Sequence, residues 1–200
     1  MVIKALIFDV GGVLIEPNER DIAMHIAARL GVGRKKVLSS TQGKMEDRIL
    51  TGAISASTFW RRVCRRVGAR YDPTITRTWL REYRAPLKPG MRKLVLSLAK
   101  RYVVAAITDV SRERERYHER RHLYAPFRFV TYSCAVGVRK PHKKIYLLTL
   151  RRLRVPPKEC LFIDDKPENV RGARSVQMHA IRFRNIRQLR RDLKKYGVVL

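Results

Sequence analysis

The sequence predicts an α/β fold in which a parallel sheet flanked by helices is interrupted once by a helical insertion. Three observations carry this. From residue 88 onward, short apolar runs alternate with segments whose apolar residues recur at helical spacing. The runs are apolar on consecutive residues instead of every second one, as in strands covered on both faces. Between residues 17 and 87 no convincing strand occurs, and the apolar spacing is helical.

The first strand covers residues 3–9 and ends in a carboxylate, Asp9. Further strands are expected at 102–108 (YVVAAIT), 127–134 (FRFVTYSC), 160–164 (CLFID) and 178–183 (MHAIRF), with helices at 90–100, 142–153, 167–175 and 186–196. Within the insertion, NERDIAMHIAARLG places Ile22, Ile26 and Leu30 on one face and stops at Gly31. Ser55 is an N-cap for a helix burying Phe59, Val63 and Val67 and ending at Gly68. Asp72-Pro73 opens a third, with Ile75, Trp79 and Tyr83 inward. The expected organisation is a core of residues 1–16 and 88–200 and a helical cap of residues 17–87, with hinges near Leu14–Pro17 and Pro86–Gly90.

Bulk properties exclude several classes. No run is apolar for long enough to span a bilayer, and the first residues lack the pattern of a secretory signal. Cys64, Cys134 and Cys160 are widely spaced, without CxxC or CxxH pairs, which argues against a zinc site and suits a reducing, cytoplasmic setting. Net charge is +28, and 31 of the 45 basic residues are arginine, the side chain that grips phosphate in a fork. The excess runs through the whole chain. Arg61, Arg62, Arg65, Arg66, Arg151, Arg152, Arg190 and Arg191 are candidates for polyanion contact.

In open parallel sheets, ligands bind at the carboxyl ends of the strands. Here those ends carry Asp9, Thr108-Asp109 and Asp164-Asp165, and Lys140 lies on a loop entering a helix. Carboxylates brought together repel unless a cation joins them, and hard oxygen ligands without a histidine pair point to Mg2+. The Thr108 hydroxyl and Lys140 ammonium would face an anion held by the same metal. That arrangement suits phosphoryl transfer with a carboxylate attacking in line.

FDVGGVL, AAITD, VGVRKP followed by IY, and FIDDKPENVRGA resemble, in order, the four motifs of the haloacid dehalogenase-like hydrolase superfamily. The nearest resemblance is to its small capped phosphatases, such as the phosphatase domain of epoxide hydrolase and sugar-phosphate phosphatases. It implies a Rossmann-like core with an inserted helical cap. It also implies Asp9 as nucleophile and metal ligand, the Gly11 carbonyl and Asp164 as further ligands, and Asp165 as support. Thr108 and Lys140 would hold the phosphoryl group, and Asn169 would tie down the fourth motif's loop.

One departure stands out. The position two after Asp9, usually a second aspartate serving as acid and base, is Gly11. Slow dephosphorylation of the enzyme is therefore expected unless Glu16, Glu19 or His25 substitutes. The acidic pair Asp164-Asp165 weighs against dehalogenation. His118 and His122, spaced i,i+4 among arginines, are read as flanking a basic face. The leading expectation is a Mg2+-dependent phosphatase of a small phosphorylated substrate. The alternative, from the charge and Gly11, is a basic RNA- or ribosome-binding protein with little catalysis; a third is an enzyme acting on phosphorylated nucleic-acid ends.

Overall fold

The computed structural model describes residues 2–200. Five strands form one wholly parallel sheet: β1 (Ala5–Phe8), β2 (Val103–Thr108), β3 (Phe129–Tyr132), β4 (Cys160–Asp164) and β5 (His179–Arg182). Their spatial order is β3-β2-β1-β4-β5, so the chain reverses its direction of winding beside β1. Phe8 pairs with Ala106 on one side and Ile163 on the other, which brings the residues following Phe8, Ile107 and Ile163 to one sheet end.

Both faces of the sheet are covered, as the unbroken apolar runs predict. Leu6, Phe8, Val104, Ala106, Leu161 and Ile163 pack with Met91, Leu94 and Leu98 of α6 (Met91–Ala99) and Leu189 and Leu193 of α11 (Ile186–Lys195). The intervening residues Ala5, Ile7, Ala105, Ile107 and Phe162 face the other way. They meet Ile145 and Tyr146 of α9 (Lys143–Leu153) and Val170 and Ala173 of α10 (Pro167–Arg174). Each fully buried apolar side chain of this size contributes about 1.5–3 kcal/mol.

The residues between β1 and α6 fold as α1 (Glu19–Leu30), α2 (Arg34–Thr41), α3 (Lys44–Leu50), α4 (Ala56–Val67) and α5 (Pro73–Arg81). They have an apolar cluster of their own, with Ile22, Ile26, Val37, Ile49, Phe59, Trp60, Val63, Ile75 and Trp79 buried. The punctuation reads as its chemistry requires. Ser55 accepts a bond from the Thr58 N–H and Asp72 from that of Thr74, and Gly31 and Gly68 close their helices in the left-handed conformation. The entering and leaving segments run side by side: Glu16 N donates to the Pro86 carbonyl (3.0 Å), Asn18 N to that of Arg84 (3.2 Å), and Arg84 N to Asn18 Oδ1 (2.7 Å).

Two sequence expectations are corrected. The run 127–134 is a strand only over Phe129–Tyr132, and Ser133–Val136 turns into a short helix, α8. The basic stretch after β2 forms α7 (Arg112–Arg120), and His118 on it does not flank a basic surface: it is 3% exposed. Its ring bonds the hydroxyls of Tyr83 (2.9 Å) and Tyr124 (2.8 Å), and burial lowers its pKa to about 4, keeping it neutral; only His122 is exposed. Among the described residues no helix is long and apolar enough to cross a membrane.

The helical unit touches the sheet closely at Gly52, where φ is +69° and a Cβ would lie 2.4 Å from the Cys134 carbonyl oxygen. The left-handed conformation alone costs an alanine about 1–2 kcal/mol. Gly52→Ala should therefore lower the urea midpoint by at least that equivalent. An unchanged midpoint would mean that this contact does not hold in solution.

Candidate active site

The site lies where the sheet reverses direction, at the carboxyl ends of β1, β2 and β4. Asp9, directly after β1, is 5% exposed, and its backbone N–H donates to the Ile163 carbonyl (2.8 Å). Lys140, 2% exposed, reaches in from the loop before α9. Its Nζ donates to Asp9 Oδ1 (2.6 Å), Asp164 Oδ2 (2.9 Å) and the Ile107 carbonyl (3.3 Å). One ammonium thus joins the first and fourth sequence motifs through charge-assisted bonds.

Asp164 has no exposed surface and is held from several directions. Asn169 Nδ2 lies 3.0 Å from each of its carboxylate oxygens, and the Lys166 N–H donates to Oδ1 (2.9 Å). Asn169 therefore fixes the orientation of this carboxylate from the first turn of α10. Asp109, after Thr108, accepts the backbone N–H of Lys140 (3.1 Å) and so ties the end of β2 to the lysine's loop. Thr108 is buried and lines the same cavity as Asp9, Lys140 and Asp165.

The electrostatics follow from packing carboxylates out of water. Burial pushes Asp9 up to about 7, against the pull of Lys140, and the neighbouring Asp164 adds to the rise. Burial raises Asp109 and Asp165 as well. Burial opposes the charge on Lys140, but Asp164, Asp9 and Asp109 outweigh it and hold the ammonium well above its ordinary range.

The donor set fits a hard divalent cation. Oxygens of Asp9, Asp164 and Asp165 lie within 4.8 Å of one another, and Asp165 Oδ1 is buried with no hydrogen-bond partner. A buried acceptor left unpaired costs free energy that a cation would recover. Gly12 makes the approach possible: its φ is +81°, and a Cβ there would sit 2.6 Å from Asp165 Oδ2. Gly11 lines the cavity beside them.

Of the three residues weighed as substitutes for the acid missing at Gly11, Glu16 pairs with Lys88 (2.7 Å) and His25 with Glu82, neither of them lining the cavity. Glu19 does line it, but its carboxylate is paired with Arg114. The arginines singled out for polyanion contact do not converge: Arg61, Arg62, Arg65 and Arg66 lie on α4, Arg151 and Arg152 on α9, and Arg190 and Arg191 on α11. Within the first set, Arg62, Arg65 and Arg66 border one groove with Lys44 and Arg48.

Sequence reasoning missed Arg114, Arg139 and Ser133. Arg114 lies over the rings of Trp79 (4.3 Å) and Tyr83 (4.2 Å), and Arg139 pairs with Glu46 (3.2 Å) and Asp47 (3.1 Å) of α3. Ser133 Oγ donates to the Leu50 carbonyl (2.6 Å) and accepts the Val110 N–H (3.0 Å). Each joins the segments that follow β2 and β3 to the helical unit, and Arg114 and Arg139 line the cavity as well. Arg139, directly before Lys140 in VGVRKP, was the one with a usable positional signal.

This fold and its strand-end carboxylates define a class of hydrolases, and comparison with known proteins gives the family. The chain belongs to the haloacid dehalogenase-like hydrolases, whose family pattern matches residues 3–177. It is 33% identical over 110 residues to the flavin mononucleotide hydrolase 1 of Arabidopsis thaliana, covering 54% of this chain and 45% of that protein. It is also 33% identical over 121 residues to a glyceraldehyde 3-phosphate phosphatase of Pyrococcus furiosus, covering 58% of this chain and 48% of the relative. The matched regions thus span less than half the length of these curated relatives. In fold it resembles a HAD family enzyme from Bacteroides thetaiotaomicron solved with magnesium and inorganic phosphate (TM-score 0.79, 18% identity, 94% of this chain and 98% of that one). Solved 2-haloacid dehalogenases share the fold at TM-score 0.67.

The raised Asp9 gives a pH signature in metal-free protein. Its folded pKa, about 7, exceeds its ordinary value of 3.8, so its stabilising contribution is complete below about pH 4 and is lost as pH rises through 7. In EDTA, Asp9→Asn should become progressively more stable relative to wild type between pH 4 and 8. A stability difference that stays flat across that range would show that Asp9 titrates normally.

Proposed function

We propose that this protein is a Mg2+-dependent phosphomonoester hydrolase that works through an aspartyl-phosphate on Asp9. The observation that carries the reading is the buried Lys140 bridging Asp9 and Asp164, with the unpaired Asp165 Oδ1 beside them. Asp9, Asp164, Asp165 and the Gly11 carbonyl are the groups that would hold the ion. When bound, magnesium supplies positive charge that screens these carboxylates from one another and from an incoming phosphate.

Asp9 attacks phosphorus in line, forming an acyl phosphate (a mixed anhydride) as the bond to the alkoxide leaving group breaks, and with no acid at Gly11 the alkoxide takes its proton from water. Lys140 pulls Asp9 back towards its ionised, attacking form and aims it, and Thr108 donates to a phosphoryl oxygen as charge moves onto it. Asn169 acts indirectly, holding Asp164 in one orientation. Water then attacks phosphorus and frees Asp9. At this step a carboxylate two residues on would ordinarily take the water's proton, and Gly11 has none. Glu19, engaged by Arg114, is poorly placed to serve. General acid–base help is worth roughly 10²–10⁴ in rate, so the phosphoenzyme should break down slowly. The helices α1–α5 act as a cap that shields this acyl phosphate from bulk water.

Protein stripped of nucleic acid in high salt should release phosphate from an aryl phosphate only with Mg2+, and Asp9→Asn should fall to background. Equal rates for the two proteins would sink the reading. Acid quenching in the first turnovers should trap labelled phosphoenzyme after a burst. Fast turnover without a burst would instead show that another group replaces the acid.

A second property rests on the groove bordered by Lys44, Arg48, Arg62, Arg65 and Arg66. We propose it as a contact for the RNA backbone, sequence-independent and additional to catalysis. Binding of single-stranded RNA should weaken with salt at a log–log slope of about −0.7 per phosphate contacted. Arg62→Gln with Arg65→Gln and Arg66→Gln should make that slope shallower, and an unaltered slope would remove this groove from the interaction.

A further inference from the structure

The cavity that holds Asp9, Thr108 and Lys140 is not filled by a phosphate group. It measures about 390 Å³ and continues away from the sheet into the helical unit. There its walls are Ile22, Val37, Leu38, Phe59, Trp60 and Trp79. The rings brace one another: Phe59 meets Trp60 edge-on at 5.2 Å and 88°, and Trp60 meets Trp79 at 6.1 Å and 65°.

Polar groups on this side are few and mostly engaged, the exceptions being Gln42 and the buried Trp60 Nε1 and Arg114 Nε, which have no hydrogen-bond partner. Glu19 pairs with Arg114 and Glu46 with Arg139, and the Thr41 hydroxyl donates to the Leu38 carbonyl (2.8 Å). Arg114 itself is held between Trp79 and Tyr83, and the Tyr83 hydroxyl is bound to His118. Among the cavity's polar residues contributed by α1–α3 and their connections, Gln42 alone has a side chain without a partner.

We infer that the phosphate taken at Asp9 is carried by an apolar, ring-sized alcohol, whose body lies against Phe59, Trp60, Trp79 and Leu38. The inference rests on the phosphatase reading and narrows it to a class of substrate. A sugar phosphate would bring a hydroxyl on nearly every carbon against only those few free donors, and each hydroxyl left against the apolar wall would lose its water unpaired, which is costly. An aryl or alkyl body instead exchanges water for apolar wall, a gain proportional to the area covered. The cap wall therefore selects for hydrophobic phosphomonoesters and against polyols of equal size.

The test compares phosphates of primary alcohols, so that the leaving groups are similar in reactivity: methyl, benzyl, 2-naphthylmethyl, glycerol 1- and glucose 6-phosphate. Benzyl phosphate should exceed glycerol 1-phosphate in kcat/KM by roughly tenfold or more, the factor expected for burying a phenyl-sized surface. Glycerol or glucose phosphate equal to or better than benzyl phosphate overturns this inference and leaves the phosphatase reading standing. Hydrolysis of none of the five, nor of an aryl phosphate, overturns both. Trp60→Ala would empty the centre of the helical unit's own core, so the variant of choice is the half-buried Leu38→Asn, its folding checked by circular dichroism. It should lower the benzyl-to-methyl ratio severalfold, and an unchanged ratio overturns the proposed wall. Benzylphosphonate, which has no cleavable ester bond, should bind with a more negative heat-capacity change than methylphosphonate; equal values count against apolar burial.

Discussion

The arrangement depends on one buried cation. Lys140 places an ammonium between two carboxylates, Asp9 and Asp164, that have almost no contact with solvent. Without it the two charges would repel in a low-dielectric site, and burial would drive Asp9 further towards its neutral form. Much of the surrounding structure serves to hold that lysine and its partners in place. Asp109 fixes its backbone, Asn169 fixes Asp164, and Asp9 is anchored to β4 through Ile163. Removing one member of such a group strands the others, which is why buried ion clusters behave as units.

Around that centre, the helical unit is joined to the sheet by directional polar contacts as well as by packing. Ser133 reaches the end of α3, the Ala56 N–H at the start of α4 donates to Glu113 Oε1 (2.9 Å), and Arg114 and Arg139 pair with carboxylates on α1 and α3. Exposed ion pairs of this kind are individually weak, about 0.2–1 kcal/mol, and are screened by salt. They can set the register of two packed units without locking them together. The two chain crossings at Glu16–Asn18 and Arg84–Pro86 are bonded to each other. In the proposed cycle, the same contacts that shield the phosphoenzyme also pin Glu19 and Glu46, leaving the cap wall apolar. Shielding and selectivity then have a common origin.

The strong positive charge is a separate matter from the cavity at the strand ends, where the carboxylates of Asp9, Asp109, Asp164 and Asp165 gather around Lys140. Exposed arginines lie on every helix from α1 to α11 except α8. Charge spread this way raises the long-range attraction for anions, phosphorylated substrates included, without defining a single site. The α3–α4 groove gathers Lys44, Arg48, Arg62, Arg65 and Arg66 around one depression, with Asp47 among them.

The strands, both faces of the sheet, the helix caps at Ser55 and Asp72 and the strand-end acids were legible in the sequence, because each rests on local periodicity or on a residue's own chemistry. A carboxylate that closes an apolar run can be recognised without knowing its neighbours. Other features were not legible. His118 lies in an arginine-rich helix, yet burial between Tyr83 and Tyr124 decides its state, and those residues lie 35 and six positions away. Arg114 and Arg139 looked like members of charged runs, and only their stacking and pairing across the cavity separate them from the solvated arginines. Ser133 was taken for the end of a strand, because nothing local announces that its hydroxyl bonds Leu50, 83 residues away. By itself the sequence determined the class of fold, the order of its elements and the acids at the strand ends. The tertiary structure alone decided which of those groups meet, what charge burial leaves them, and that the cavity above them is lined with rings, since all three depend on contacts between segments far apart in the chain.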